Sequence, residues 1–153
     1  MIIRLADPVS EADQMIPAIK DFLGRMPYVE VIPHNETWFD DYVLELLSSD
    51  NIEVIVAEED EEIVAGIGLL YGSMLWNPGM IQVEELFWWA SPSAPARAAY
   101  SVIKEAVSRI QDEQRVGKVF VNFKTLTTSP DSVAKIYKRL GLIEVETSFM
   151  GVL

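Results

Sequence analysis

The 153-residue chain contains no cysteine and a single histidine, His34. The absence of cysteine excludes disulfides, thiolate metal ligands and a thiol nucleophile. One imidazole cannot build a histidine-rich centre, so the sequence predicts no metal site. No apolar run approaches the roughly 20 residues of a membrane-spanning helix. The N-terminus carries acids where a secretory signal needs a long apolar stretch, which predicts a cytoplasmic protein with no membrane partner.

Positive charge is also scarce. The chain has 12 Lys and Arg against 24 Asp and Glu, a formal net charge of −12. This balance argues against nucleic acid and anionic lipid as partners. It favours a cationic partner, either a small-molecule amine or a basic protein, although excess acid that only keeps the protein soluble is the alternative. A homodimer is left open. The length, with half the residues apolar, predicts one domain over 1–153.

The stretch 81–110 organises the chain. Its pattern predicts a buried strand, a short Pro/Ser/Ala loop and an amphipathic helix. We expect Ser93 to cap this helix and Pro95 to lie in its first turn. Such a junction directs unpaired backbone N–H groups to one point, which suits an anion such as phosphate. Glu84 and Glu85 interrupt the apolar strand, and buried carboxylates are costly unless they are paired or used.

The remaining elements follow from periodicity and turn residues. Further strands are expected at 2–5, 53–57, 63–71, 118–123 and 143–150. Further helices are expected at 10–24, with a kink at Pro17, at 37–48 and at 130–141. The expected connections include a loop at 26–36, an acidic hairpin turn at 58–62 and a connection at 72–79. The order β-α-α-β-β-β-α-β-α-β predicts a mixed α/β layer fold.

This order of elements resembles the GNAT superfamily of N-acetyltransferases. Residues 133–142, VAKIYKRLGL, are similar to the family's closing pattern A-x-x-x-Y-x-x-x-G-F, with Val133 and Leu142 replacing the usual Ala and Phe. The acidic hairpin followed by Gly66 and Gly68 is typical of the family, and residues 85–89 are similar to small phage-encoded members. The resemblance implies a mixed sheet of six to seven strands flanked by four helices.

The resemblance also implies that acetyl-CoA, the acyl-donor cosubstrate, binds at the central junction. The family's phosphate loop, Q/R-x-x-G-x-G/A, has lost its glycines here. A gapless alignment sets Ala98 and Tyr100 at the glycine positions, and a two-residue shift sets Arg97 at the Q/R position but Tyr100 and Val102 at the glycines. A junction that no longer binds the coenzyme is the alternative. The implied coenzyme contacts are Trp88, Trp89 and Ala90 for the pantetheine arm, and Ala96, Arg97, Ala98, Ala99 and Tyr100 for the pyrophosphate.

The resemblance further implies the catalytic roles. Tyr137 falls on the tyrosine that protonates the departing thiolate, and Glu84 falls on the base that takes the amine proton. Burial among aromatic residues would raise the pKa of Glu84 towards the working range. Glu85, expected on the opposite face of the strand, is the second candidate for the base. A purely structural role is the alternative for all three residues.

The expected function is therefore an acetyl-CoA-dependent N-acetyltransferase, in which a primary amine attacks the thioester directly. No thiol is present to form an acyl-enzyme. The competing hypothesis is a non-catalytic module of the same fold, which acts through its acidic surface or senses acyl-CoA. The loops 26–36 and 73–79 would wall the acceptor, with the side chains of Tyr28, His34, Trp38 and Trp76 available to hold a cation.

Overall fold

The computed structural model describes residues 1–26, 37–114, 119–123 and 130–144. These residues form five strands and four helices. The strands are β1 Ile2–Leu5, β2 Ile52–Glu59, β3 Glu62–Met74, β4 Asn77–Ala90 and β5 Val119–Asn122. The helices are α1 Ala12–Gly24, α2 Phe39–Leu47, α3 Ala98–Gln114 and α4 Pro130–Arg139.

The strands form one mixed sheet in the order β1-β2-β3-β4-β5. Consecutive strands from β1 to β4 are antiparallel to one another, and β5 is parallel to β4. The described part of the chain thus has five strands, where six to seven were expected. The last expected strand is absent at Ile143 and Glu144, and the rest of it, 145–150, lies outside the described residues. The expected connection at 72–79 is also wrong, because β3 and β4 continue into it and only Leu75 and Trp76 form the turn.

Hydrophobic clusters cover both faces of the sheet. One lies under α3 and α4, and the other under α1 and α2. In β2, Ile55 belongs to the first cluster, whereas Val54 and Val56 belong to the second. Because both faces are buried, the central strands are nearly continuous apolar runs rather than alternating ones.

Glu11 and Trp38 precede α1 and α2, and neither side chain caps its helix. Both helices begin about two residues later than the sequence predicts. Pro17 lies inside α1 without ending it. None of the helices among the described residues is both long enough and apolar enough to cross a bilayer.

A β-bulge in β4 changes which side chains face α4. Leu69 pairs with Glu85, but the preceding Gly68 pairs with Phe87, so Leu86 is the extra residue. Glu85 and Phe87 would share a face in a regular strand. The bulge instead places Phe87 in the α1–α2 cluster and turns Glu85 towards α4.

Two glycines of β3 make room for aromatic rings of β4. The ring of Trp89 covers Gly66, where an added Cβ would lie 1.9 Å from Trp89 Cη2. The ring of Phe87 covers Gly68, where an added Cβ would lie 2.4 Å from Phe87 Cζ. These glycines are therefore required by close approach of a ring.

We expect Gly66→Ala to lower the free energy of unfolding by about 2 kcal/mol, because the Trp89 ring must leave its packed position. Gly72→Ala is the matched control, since Gly72 is in the same strand and a Cβ there meets nothing within 4 Å. Denaturant titration of both variants measures the difference. Equal stability of the two would contradict the packing described.

Candidate active site

A buried carboxylate and a buried tyrosine meet between β4 and α4. Glu85 is 8% exposed and is the one buried charged side chain among the described residues. Tyr137, on α4, is 6% exposed, and its hydroxyl donates a hydrogen bond to Oε2 of Glu85. A tyrosine that donates to a carboxylate offsets part of the cost of burying that charge.

The end of α4 fixes the position of Tyr137. Gly141 has a φ of 88°, a left-handed conformation that an L side chain rarely adopts. The turn at Gly141 lets the amide of Leu142 donate to the carbonyl oxygen of Tyr137 at 3.0 Å, while the Gly141 amide donates to Lys138 at 3.2 Å. This is a glycine-terminated helix cap. It gives a physical reason for a Y-x-x-x-G spacing at this point.

Aromatic rings surround the phenol of Tyr137. The ring centroid of Trp88 lies 6.1 Å from that of Tyr137, and the centroid of Phe123 lies 5.7 Å from it. The indole Nε1 of Trp88 also donates to the carbonyl oxygen of Ala99 at 3.0 Å, in the first turn of α3. Trp88 thereby contacts both the start of α3 and the tyrosine of α4.

The environment holds the Tyr137 hydroxyl in its protonated form. Burial raises the pKa of Tyr137 most, and the negative charge of Glu85 and the hydrogen bond to it raise the pKa further. Because the phenol stays protonated, its O–H group can continue to donate the hydrogen bond to Glu85. The folded state therefore binds this proton more tightly than the unfolded chain does.

Glu84 has a different environment. It is half-buried, and Gln82 Nε2 donates a hydrogen bond to its Oε1. The two neighbouring carboxylates point to opposite faces of the strand, because successive side chains of β4 alternate. The structure thus brings Glu85, rather than Glu84, together with Tyr137.

Among the described residues, one edge of β4 has no neighbouring strand beyond Glu84. The last paired residues of the β4–β5 ladder are Glu84 and Asn122. Within the described ranges, no strand pairs with this edge of β4 from Glu85 to Ala90. An extended ligand could therefore add to the sheet here.

The hydrogen-bond alternation of β4 shows which backbone groups face this open edge. The amide of Ser91 donates to the carbonyl oxygen of Val64 at 2.8 Å, so Ser91 belongs to a pair bonded to β3. In an antiparallel ladder every second residue bonds to the same neighbour, so the groups of Trp89 also point to β3. Those of Trp88 and Ala90 point to the open edge.

The start of α3 differs from the one expected. The helix begins at Ala98, and the hydroxyl of Ser93 lies 3.1 Å from that of Ser91 instead of capping the helix. Because Ala94 precedes a proline, helical conformation is disfavoured there. The amide of Ala98 donates to the carbonyl oxygen of Pro95 at 2.8 Å, which closes a turn immediately before the helix.

No family model matches the chain, and no curated protein sequence matches it. Solved structures do. Ribosomal-protein-alanine N-acetyltransferase from Brucella melitensis biovar Abortus 2308 superposes over 100% of both chains, with a TM-score of 0.68 and 14% identity. A predicted acetyltransferase with acetyl-CoA from Clostridium acetobutylicum superposes over 97% of this chain and 94% of its own, with a TM-score of 0.64 and 15% identity.

A third similar structure is an aminoglycoside acetyltransferase from an uncultured soil metagenomic sample, in complex with sisomicin. It superposes over 99% of this chain and 95% of its own, with a TM-score of 0.67 and 15% identity. All three superpositions cover nearly whole chains. The chain has the GNAT fold.

The residues that the sequence resemblance sets at the loop glycines differ in burial. Ala98 is fully buried, and it belongs to the α3–α4 cluster. Tyr100 is 41% exposed, and Arg97 is exposed beside it. Helix geometry leaves the amides of Ala99 and Tyr100 without a partner inside α3. Of the residues that the two alignments set at the loop glycines, Ala98 and Val102 are thus buried in the α3–α4 cluster, and Tyr100 is exposed.

Other residues expected near a GNAT acceptor are only partly placed. Tyr28 and His34 lie outside the described residues, whereas Trp38 and Trp76 are 51% and 78% exposed. Sequence reasoning did not identify Phe123 or the Trp88 ring as neighbours of Tyr137. No motif marks these contacts, because they arise where three separate elements pack together.

We expect Tyr137 to stay protonated when an ordinary tyrosine ionises, near pH 10. In a spectrophotometric titration of the folded protein, Tyr137→Phe should leave the number of phenolates formed near that pH unchanged. In denaturant the same variant should lose one of the five tyrosines of the chain. Loss of one phenolate in the folded protein as well would contradict the raised pKa.

Proposed function

We propose that this protein is an N-acetyltransferase, which transfers the acetyl group of acetyl-CoA to a primary amine. The buried hydrogen bond between Tyr137 and Glu85, beside the open edge of β4, carries the proposal. The similar proteins support it, since one was solved with acetyl-CoA and another, an aminoglycoside acetyltransferase, was solved in complex with sisomicin. A cytoplasmic location belongs to the same proposal.

The donor would bind along β4 and at the start of α3. The backbone groups of Trp88 and Ala90 would pair with the amides of the pantetheine arm, as an added strand does. The amides of Ala99 and Tyr100 would hold the pyrophosphate, because the N-terminus of a helix attracts anions. Arg97 would add a charge-assisted contact to a phosphate oxygen.

Tyr137 and Glu85 together can move the protons that the reaction requires. Glu85 would take the proton that the amine loses when its nitrogen bonds to the acetyl carbon. Tyr137 would give its own proton to the sulfur as the carbon–sulfur bond breaks. Transfer of a proton from Glu85 back to Tyr137 then restores both groups. The amine proton thus ends on Tyr137, the former Tyr137 proton ends on the thiol, and the net result is one proton moved from amine to thiol.

The coupling between the two groups favours this order. While Glu85 is charged, it raises the pKa of Tyr137 and makes the phenol a weak acid. Once Glu85 accepts a proton, that charge is neutralised and the pKa of Tyr137 falls. Tyr137 therefore becomes a better acid at the stage when the thiolate must be protonated.

The coenzyme-binding proposal is tested by calorimetry. We expect acetyl-CoA to bind with a Kd between about 1 μM and 1 mM. Arg97→Gln should weaken binding by roughly tenfold, because a charge-assisted contact to a phosphate is lost. Arg109→Gln is the matched control, since it removes the same charge from the interior of α3, at a residue paired with Glu105. No binding at millimolar acetyl-CoA would favour the non-catalytic module.

The catalytic roles are tested by turnover. Tyr137→Phe should lower kcat by about 100-fold, and Glu85→Gln should lower it by at least about tenfold, because each change removes a proton-transfer group. Coenzyme affinity should change little in both variants. Glu84→Gln is the matched comparison on the opposite face of the same strand, and we expect its kcat to stay within about twofold. A larger loss in Glu84→Gln than in Glu85→Gln would assign the base to Glu84 instead.

A further inference from the structure

The outward side of α2 carries four neighbouring exposed side chains. They are spaced three and four residues apart, so they share one face of the helix. We call this set the α2 outer face: Trp38, Asp41, Tyr42 and Glu45. The opposite side of α2 is buried through Phe39, Val43 and Leu47.

The aromatic part of the α2 outer face is about half exposed to solvent. Trp38 is 51% exposed and Tyr42 is 52% exposed. Their rings pack edge to face, with centroids 5.5 Å apart, so each ring supports the orientation of the other. Aromatic rings held in this way present π surface to which a cation is attracted.

The acidic part of the same face consists of Asp41 and Glu45. Among the described residues, neither Asp41 nor Glu45 forms an ion pair. On the neighbouring side of α2, by contrast, Lys20 Nζ lies 3.5 Å from Asp40 and 5.5 Å from the ring centroid of Phe39. The helix thus already binds one lysine between a carboxylate and an aromatic ring.

We propose that the α2 outer face docks a lysine- or arginine-rich segment of a partner protein. Exposed carboxylates beside exposed rings complement such cations, and the net charge of −12 attracts a basic chain from a distance. The face extends over about 10 Å from Trp38 to Glu45, at a rise of 1.5 Å per residue. That length suits several cations along a peptide better than a single small amine.

The docking itself does not require acetyl transfer. That the docked protein also supplies the acceptor amine rests on the proposed function, and it would make the acceptor a basic protein. The α2 outer face would then raise the local concentration of that substrate without contacting the reacting atoms.

The test uses the full chain and a fluorescently labelled lysine-rich peptide, with binding followed by anisotropy at low salt. Asp41→Asn/Glu45→Gln should weaken binding by about tenfold, and Trp38→Ala by about threefold. The matched control is Glu61→Gln/Glu62→Gln, which removes the same charge from the exposed β2–β3 turn. This control should change affinity by less than about twofold, since the long-range field alone is altered.

Equal weakening by the two double variants would overturn the proposal, because affinity would then depend only on net charge. The failure of docking and the failure of the proposed function give different results. If the peptide binds through α2 but is never acetylated, the docking surface stands and the proposed acceptor falls. If it is acetylated with the same KM in the α2 variants and the wild type, the enzyme stands and the docking surface falls.

Discussion

A carboxylate inside an apolar layer is stable only where a donor reaches it, and the fold around Glu85 supplies one in Tyr137. Two backbone features make this contact. The bulge at Leu86 separates Glu85 from the aromatic residues that follow it in β4, and the left-handed Gly141 ends α4 four residues after Tyr137. Without the bulge, Glu85 and Phe87 would compete for one face of the sheet.

The residues of β4 around the bulge pack against both faces of the sheet. Beyond the bulge, the rings of Phe87 and Trp89 lie close against glycines of β3 and belong to the α1–α2 cluster. On the other side Trp88 packs near Tyr137 and bonds to the first turn of α3. The pairing with β5 stops at Glu84, just before these contacts begin. The open edge is thus bounded by the groups that a transfer reaction would use.

The sequence predicted the order of elements from β1 to α4, including the central strand, loop and helix, because periodicity and turn residues are local signals. It also marked Tyr137 and the two carboxylates. It could not rank Glu85 above Glu84 as the neighbour of Tyr137, because a bulge and the position of α4 depend on packing between distant segments. The extension of β3 and β4 through residues 72–79 was missed for a similar reason, since Gly72, Pro78 and Gly79 are ordinary turn signals.

The family's phosphate-loop glycines are absent from this chain, and their physical role can be considered apart from the motif. Glycine at a phosphate loop provides clearance, while the contacts themselves come from backbone amides. In this chain Ala98 is buried in the α3–α4 cluster and Tyr100 is 41% exposed. The first amides of α3 lack intrahelical acceptors whichever side chains surround them, because this follows from helix geometry. The absence of the glycines therefore does not by itself remove the backbone donors of this turn.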